Sequence, residues 1–142
     1  MMSSTTLYTG YDPFARIYNE FWAPDVCQKS LLCLEKLLLP HLVEKAQILD
    51  LCCGSGQITQ QLLEKGYQVT GIDGSEEMLN YARSNAASGK FILDDARFFK
   101  LPATFDAVVS MGALNYVMTL EELAGVFHNV YATLLETGWF LF

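Results

Sequence analysis

The sequence predicts an α/β domain built around a buried parallel sheet, and three observations support this. The first is Ile48-Leu49-Asp50-Leu51-Cys52-Cys53-Gly54-Ser55-Gly56-Gln57-Ile58-Thr59, where an apolar run meets an acid and then a glycine turn before a helical pattern begins. It reads as strand, turn, helix. The second is the alternation of short apolar runs, at 67–72, 90–93 and 105–110, with amphipathic stretches, as βα units require. The third is composition: 142 residues, 51% hydrophobic and 18% charged, with mean hydropathy +0.21. That suits a single α/β domain, one that buries about two thirds of its unfolded surface.

Taken in order, a polar stretch over 1–10 precedes a helix entry at Asp12-Pro13, an acid able to cap and a proline already at helical φ. The helix over 14–22 is dense in aromatics for a segment outside the sheet, and is either a hydrophobic flap or a lid over a ligand. From 25 to 39 the leucines at 31, 34 and 38, with Leu37, mark one helical face, and Pro40 ends the run. Residues 1–46 are thus expected to form lid and packing helices, and 47–142 the core of the one domain. After the strand at Ile48, a helix runs through Leu62, Leu63 and Glu64 to Gly66, placed as a left-handed terminus. The second strand leads from Tyr67 into Asp73. Ser75 caps the next helix, with Glu76 and Glu77 complementing its dipole and Gly89 closing it. The third strand, 90–93, ends in Asp94-Asp95, adjacent acids of which at least one needs a partner or solvent. Residues 105–110 form the fourth strand. Thr119-Leu120-Glu121-Glu122 is a capping box opening a helix to about Leu135, and 136–142 turn into a fifth strand.

Glycines at 54 and 56 let backbone N–H groups approach a ligand, and the helix behind them aims its positive end at the same spot. A dinucleotide fingerprint would place a third glycine where Thr59 stands. Asp50-Leu51-Cys52-Cys53-Gly54-Ser55-Gly56 instead resembles the Asp-x-Gly-x-Gly-x-Gly of the first strand in class I S-adenosylmethionine-dependent methyltransferases. Cys52 stands where that family usually has its first glycine. Because a side chain at positive φ is strained by roughly 1 kcal/mol or more, Cys52 is expected in an ordinary β-like conformation. Asp73 lies about 20 residues beyond the turn, the reach at which a carboxylate meets a ribose in either ligand class.

The stretches Tyr11-Asp12-x-x-Ala15-x-x-Tyr18 and Gly71-Ile72-Asp73-x-Ser75-x-x-Met78-Leu79 extend the resemblance, which covers nearly all of the chain from Tyr11. It implies a three-layer sandwich with a doubly wound, mainly parallel Rossmann-like sheet, five strands in the order 3-2-1-4-5. The family order is 3-2-1-4-5-7-6 with the seventh strand antiparallel, and the last two strands have no counterpart here, so the chain is expected to be truncated at its C-terminus. The implied cofactor is S-adenosyl-L-methionine and the implied partner a small-molecule methyl acceptor. The implied cofactor set is Asp50, Cys52, Gly54 and Gly56 in the turn, Asp73 at the ribose, Met78 against the adenine, Asp95 accepting from the adenine N6 amino group, and the Ala96 N–H on N1. Tyr11, Arg16 and Tyr18 would offer donors to a carboxylate. From the sheet alone, ligands bind beyond the carboxyl ends of the strands, so Ser110 and the residues to Tyr116 should wall the site. Tyr116, Asn115 and Tyr18 would touch the acceptor. Three alternatives stay open: Met78 as a core residue, Asp95 in a solvated turn, Asp73 as a mere strand end. No residue is named as catalytic, since a sulfonium is a built-in leaving group and positioning can supply the rate.

Other classes are disfavoured. A formal net charge of −7 argues against nucleic acid, and Asn/Asp-Pro-Pro-Tyr, found in many nucleic-acid amino methyltransferases, does not occur. No apolar run reaches transmembrane length, and the start has neither the basic flank nor the apolar core of a signal peptide, so a cytoplasmic, non-membrane protein is expected. The four cysteines form no CxxC, and no metal site is expected; Cys52 and Cys53 read as small apolar fillers, and His41 and His128 are given no role. The rival functions are a nicotinamide-dependent oxidoreductase and a cofactor-binding module without chemistry.

Overall fold

The structure is a computed structural model that describes residues 9–114 and 117–142. Five strands form one sheet: β1 (Gln47–Leu51), β2 (Gln68–Asp73), β3 (Lys90–Leu93), β4 (Phe105–Val109) and β5 (Leu134–Leu141). Their order is β3-β2-β1-β4-β5, and every pairing is parallel. The order therefore reverses between β1 and β4, and the strand ends at that switch point all open on one edge. The predicted sheet is present.

The chain enters through one continuous helical stretch: a 3-10 turn at Thr9–Phe14, a single α turn α1 (Ala15–Ile17), a π segment at Tyr18–Trp22, then α2 (Ala23–Leu37). Pro24 sits in the first turn of α2, directly after the π segment. The buried stripe of α2 is Cys27, Ser30 and Leu34, continued by Leu38. Leu37, expected on that face, is exposed; the stripe recurs every three to four residues from Ala23, and Leu37 falls one position out of phase. Pro40 lies in a 3-10 turn, Leu39–His41, that leads to β1.

Three further helices complete the layers: α3 (Gln57–Glu64), α4 (Glu76–Asn85) and α5 (Leu120–Thr133). Both predicted caps form, with Ser75 Oγ accepting from the Met78 N–H and Thr119 Oγ1 from the Glu122 N–H. The α4 helix ends at Asn85, and Gly89 lies in the turn beyond it, where it donates to the Ala86 carbonyl. Strand side chains alternate between two cores. Leu49, Leu51 and Val108 face α5 with Val126 and Val130, while Ile48, Ala107 and Val109 face α2 and α3 with Leu34 and Leu62. Each such side chain, fully buried, contributes about 1.5–3 kcal/mol. Alternation also sends Asp50, two residues past Ile48, to the α3 side, away from the larger core. Among the described residues no helix is long and apolar enough to cross a membrane.

Candidate functional site

The turn after β1 holds three residues at positive φ: Cys52 at 62°, Gly54 at 55° and Gly56 at 84°. Cys52 thus departs from the β-like conformation expected of it. The turn requires this: with Cys52 left-handed, the next N–H, of Cys53, still reaches the Ile72 carbonyl of β2 at 2.9 Å, and the Gly54 N–H reaches Asp73 Oδ2 at 2.8 Å. These two bonds from turn N–H groups to β2, one to a backbone carbonyl and one to a carboxylate, offset roughly 1–2 kcal/mol of strain. The glycines are forced by contact as well. A Cβ on Gly56 would lie 2.9 Å from Ala82 of α4, and one on Gly54 would lie 3.3 Å from the Tyr18 ring.

Asp73 closes the other side of the turn. Its second oxygen accepts from the Ser75 N–H at 3.0 Å, so one carboxylate fastens the glycine turn to the start of α4. Burial pushes its pKa up, and the N–H donors of Ser75 and Gly54 pull it back. Asp50 is buried behind the turn, and Thr59 donates to it at 2.7 Å. Burial raises its pKa to about 7, against the Thr59 bond, with Asp73 adding to the rise. Thr59, the residue that broke the dinucleotide pattern, thus serves as the partner of this acid.

A cavity of about 540 Å³ opens at this edge of the sheet. Cys52, Gly54, Asp73, Met78 and Ala96 line one side of it, and Tyr11, Phe14, Tyr18, Trp22 and Val26 line the other. Met111, Gly112 and Ala113, following β4, close the end, as the switch-point argument predicts. Ser110 lies just beneath them, buried, its hydroxyl without a hydrogen-bond partner among the described residues. Met78 is both buried and on the cavity wall, so its two readings coincide. Asn115 and Tyr116 lie outside the described residues.

Of the remaining predicted site residues, Asp50, Gly56 and Ser110 stand next to the cavity without lining it, and Arg16 and Asp95 are turned to other partners. Arg16 points to solvent and pairs with Glu20 at 3.0 Å, away from the cavity, because the aromatic residues of the same turns occupy the inward face. Asp95 is only 1% exposed and holds Arg97 in a fork, Nε on one oxygen at 3.0 Å and Nη2 on the other at 2.7 Å. Arg97 continues to Glu122 at the start of α5, at 2.8 Å. The acid on the cavity wall is Asp94. The pairing of Asp95 with Arg97, which reaches on to α5, leaves Asp94 as the one of the two adjacent acids that lines the cavity.

Sequence reasoning missed the fastening of the N-terminal helices. Asn19 Oδ1 accepts from Gln57 at 2.9 Å and from Asn85 at 2.7 Å, and Asn85 also donates to the Ser55 carbonyl at 2.8 Å. Ser75 Oγ donates to Asp12. One amide therefore ties the aromatic segment to the start of α3 and the end of α4. No local pattern signals a pair 66 residues apart.

Residues 48–138, from β1 into β5, match the family model for the methyltransferase domain. The chain belongs to the methyltransferase domain family. Within it, the chain is similar to the YqeM protein of Bacillus subtilis (strain 168), 37% identical over 93% of this chain and 54% of that one. It is 30% identical to a ubiquinone biosynthesis O-methyltransferase of Xanthomonas campestris, over 99% of this chain and 62% of that one. The crystal structure of Streptomyces venezuelae DesVI superposes with a TM-score of 0.77 at 27% identity, covering 88% of this chain and 54% of that one. The chain spans a little over half the length of the curated relatives it matches. Membership in the methyltransferase domain family accounts for the strand order and for the acid-then-glycine turn together.

Proposed function

We propose that this domain binds S-adenosylmethionine in the cavity between the Cys52–Gly56 turn and the N-terminal helices, and transfers its methyl group to a small molecule. The observation that carries the reading is Asp73. Its two oxygens accept the Gly54 and Ser75 N–H groups, and the residue lines the cavity, so the remaining lone pairs can accept from a ribose diol bound there. The rest of the site fits the cofactor. The volume is in the range of small-molecule sites, Gly54 leaves room only for bare backbone beneath Tyr18, and a wall carrying Asp73 and Asp94 suits a cationic ligand. Met78 and Ala96 would hold the adenine. Since Asp95 is committed to Arg97, the N6 acceptor in this reading is Asp94.

When bound, the cofactor supplies an electrophilic methyl group on a sulfonium. The chain's residues orient and exclude water. Tyr18 lies over the glycine turn with its phenol kept neutral, burial and the nearby Asp50 and Asp73 pushing its pKa up. Phe14, Trp22 and Val26 shield the acceptor end. Alignment in a dry cavity is worth several kcal/mol to an in-line transfer, about 7 or more at best. A relative named for O-methylation in ubiquinone biosynthesis supports a small-molecule acceptor, and the family match leaves the oxidoreductase reading without support.

Calorimetry with S-adenosylhomocysteine tests the reading. Two charge-assisted bonds of about 1.5–3 kcal/mol each predict a loss of roughly a hundredfold or more for Asp73→Ala, and less for Asp73→Asn, which keeps one acceptor oxygen. Affinity within threefold of wild type in folded Asp73→Ala protein would sink it.

A further inference from the structure

The helix α4 meets the glycine turn with one face, and two residues a helical turn apart make that contact. Ala82 is fully buried, and a Cβ on Gly56 would come within 2.9 Å of it. Asn85, the last residue of α4, follows on the same face, and its Nδ2 has two N–H bonds to give. One goes to the Ser55 carbonyl at 2.8 Å and the other to Asn19 Oδ1 at 2.7 Å. Ser55 is fully buried, so solvent offers its carbonyl no substitute for that donor. The peptide that follows is held from its other side by the Gly56 N–H, which donates to the Cys53 carbonyl at 3.1 Å. Gly56, at φ 84°, gives that peptide freedom to rotate. Asn85 therefore holds a link that its own residues leave free to turn.

The same groups close a ring. Ser55 Oγ donates to Gln57 Oε1 at 2.7 Å, and Gln57 Nε2 donates to Asn19 Oδ1 at 2.9 Å. Asn19 belongs to the aromatic segment that carries Tyr18 over Gly54. One nitrogen thus sets both floor and roof of the space between Gly54 and Tyr18. With adenine at Met78, Ala96 and Asp94 and ribose at Asp73, this space is left to the amino-acid arm of the cofactor.

We propose, resting on the cofactor reading above, that Asn85 is a positioning residue for the cofactor: it fixes the Ser55–Gly56 peptide and the Asn19 end of the aromatic segment at one separation, and so shapes the space for the amino-acid arm. Asn85 does not itself line the cavity. It acts through the turn and the segment above it.

Two ligands separate that role from a general loosening of the fold: S-adenosylhomocysteine, and methylthioadenosine, which keeps adenine, ribose and sulfur but lacks the amino-acid arm. Calorimetry on Asn85→Ala should show at least about a tenfold loss for the first and less than about threefold for the second. Asn85→Asp, of the same size but without the donor, should give the same split, and stands in if the alanine variant does not fold. In ligand-free protein, exchange of the Gly56 amide should quicken about tenfold in either Asn85 variant. Asn19→Ala, which keeps the Ser55 bond, should leave it within about threefold of wild type. The proposal is overturned if both ligands weaken by the same factor, if S-adenosylhomocysteine stays within about threefold of wild type, or if Gly56 exchange is unchanged in the Asn85 variants or equally fast in Asn19→Ala. Failure of the wild-type chain to bind S-adenosylhomocysteine would count against the cofactor reading, and Gly56 exchange would still decide whether Asn85 holds the turn.

Discussion

Replacing Asp50 by asparagine should remove most of the pH dependence of stability between about pH 4 and 7. Asp50 is fully buried on the α3 side of β1, and burial lifts its pKa from 3.8 to about 7, with the Thr59 hydroxyl opposing the rise and Asp73 adding to it. The folded-state pKa lies above the unfolded one, so the native chain keeps a proton that the unfolded chain has released. The contribution of Asp50 to stability is therefore fullest below about pH 4, falls as pH rises, and levels off above about 7. A gap of roughly three pKa units at about 1.4 kcal/mol each amounts to about 4 kcal/mol, a large part of a domain's 5–15. Asparagine keeps an oxygen for Thr59 and cannot ionise, so the variant should be the more stable protein above neutrality. Asp73, shifted the same way, leaves a smaller residual slope. Urea titrations from about pH 4.5 to 8.5 measure both proteins. Parallel losses of stability in wild type and Asp50→Asn would refute the reasoning.

Gly56→Ala should destabilise by about 2 kcal/mol or more, since positive φ and a 2.9 Å clash with Ala82 act together. Gly112→Ala, at positive φ but in open space, should cost only about 1; equal urea midpoints for the two would show that packing on α4 is irrelevant. Asn19→Ala removes the shared acceptor of Gln57 and Asn85, so hydrogen exchange over 14–22 should quicken while β1 stays protected. Unchanged exchange there would mean the aromatic contacts alone hold the segment.

The strand, turn and helix at Ile48 were legible because their signals are local: apolar run, acid, glycines, then helical spacing. The same holds for the caps at Ser75 and Thr119, each satisfied within three residues. What escaped is non-local. Which of Asp94 and Asp95 faces the cavity depends on an arginine reaching Glu122, 25 residues further on. Arg16 was read inward because the segment is aromatic, yet its helical turn had already given the inward face to Phe14 and Tyr18. At Cys52 the local preference was read correctly and overruled, since two cross-strand bonds outweigh the cost of one left-handed residue.

The parallel sheet also sets the order in which the cleft can come into being. β2 and β3 each follow their neighbour after a single helix, so that half of the sheet can assemble from chain already close at hand. The pairing of β1 with β4 joins residues such as Gln47 and Asp106, 59 positions apart. Closing so long a loop must be completed before its contacts give any return, which makes distant parallel pairing intrinsically slow. During synthesis β1 can therefore pair on one side only until β4 has been made. The cleft lies at that junction, so a ligand pocket appears only with the closing of the last central pair.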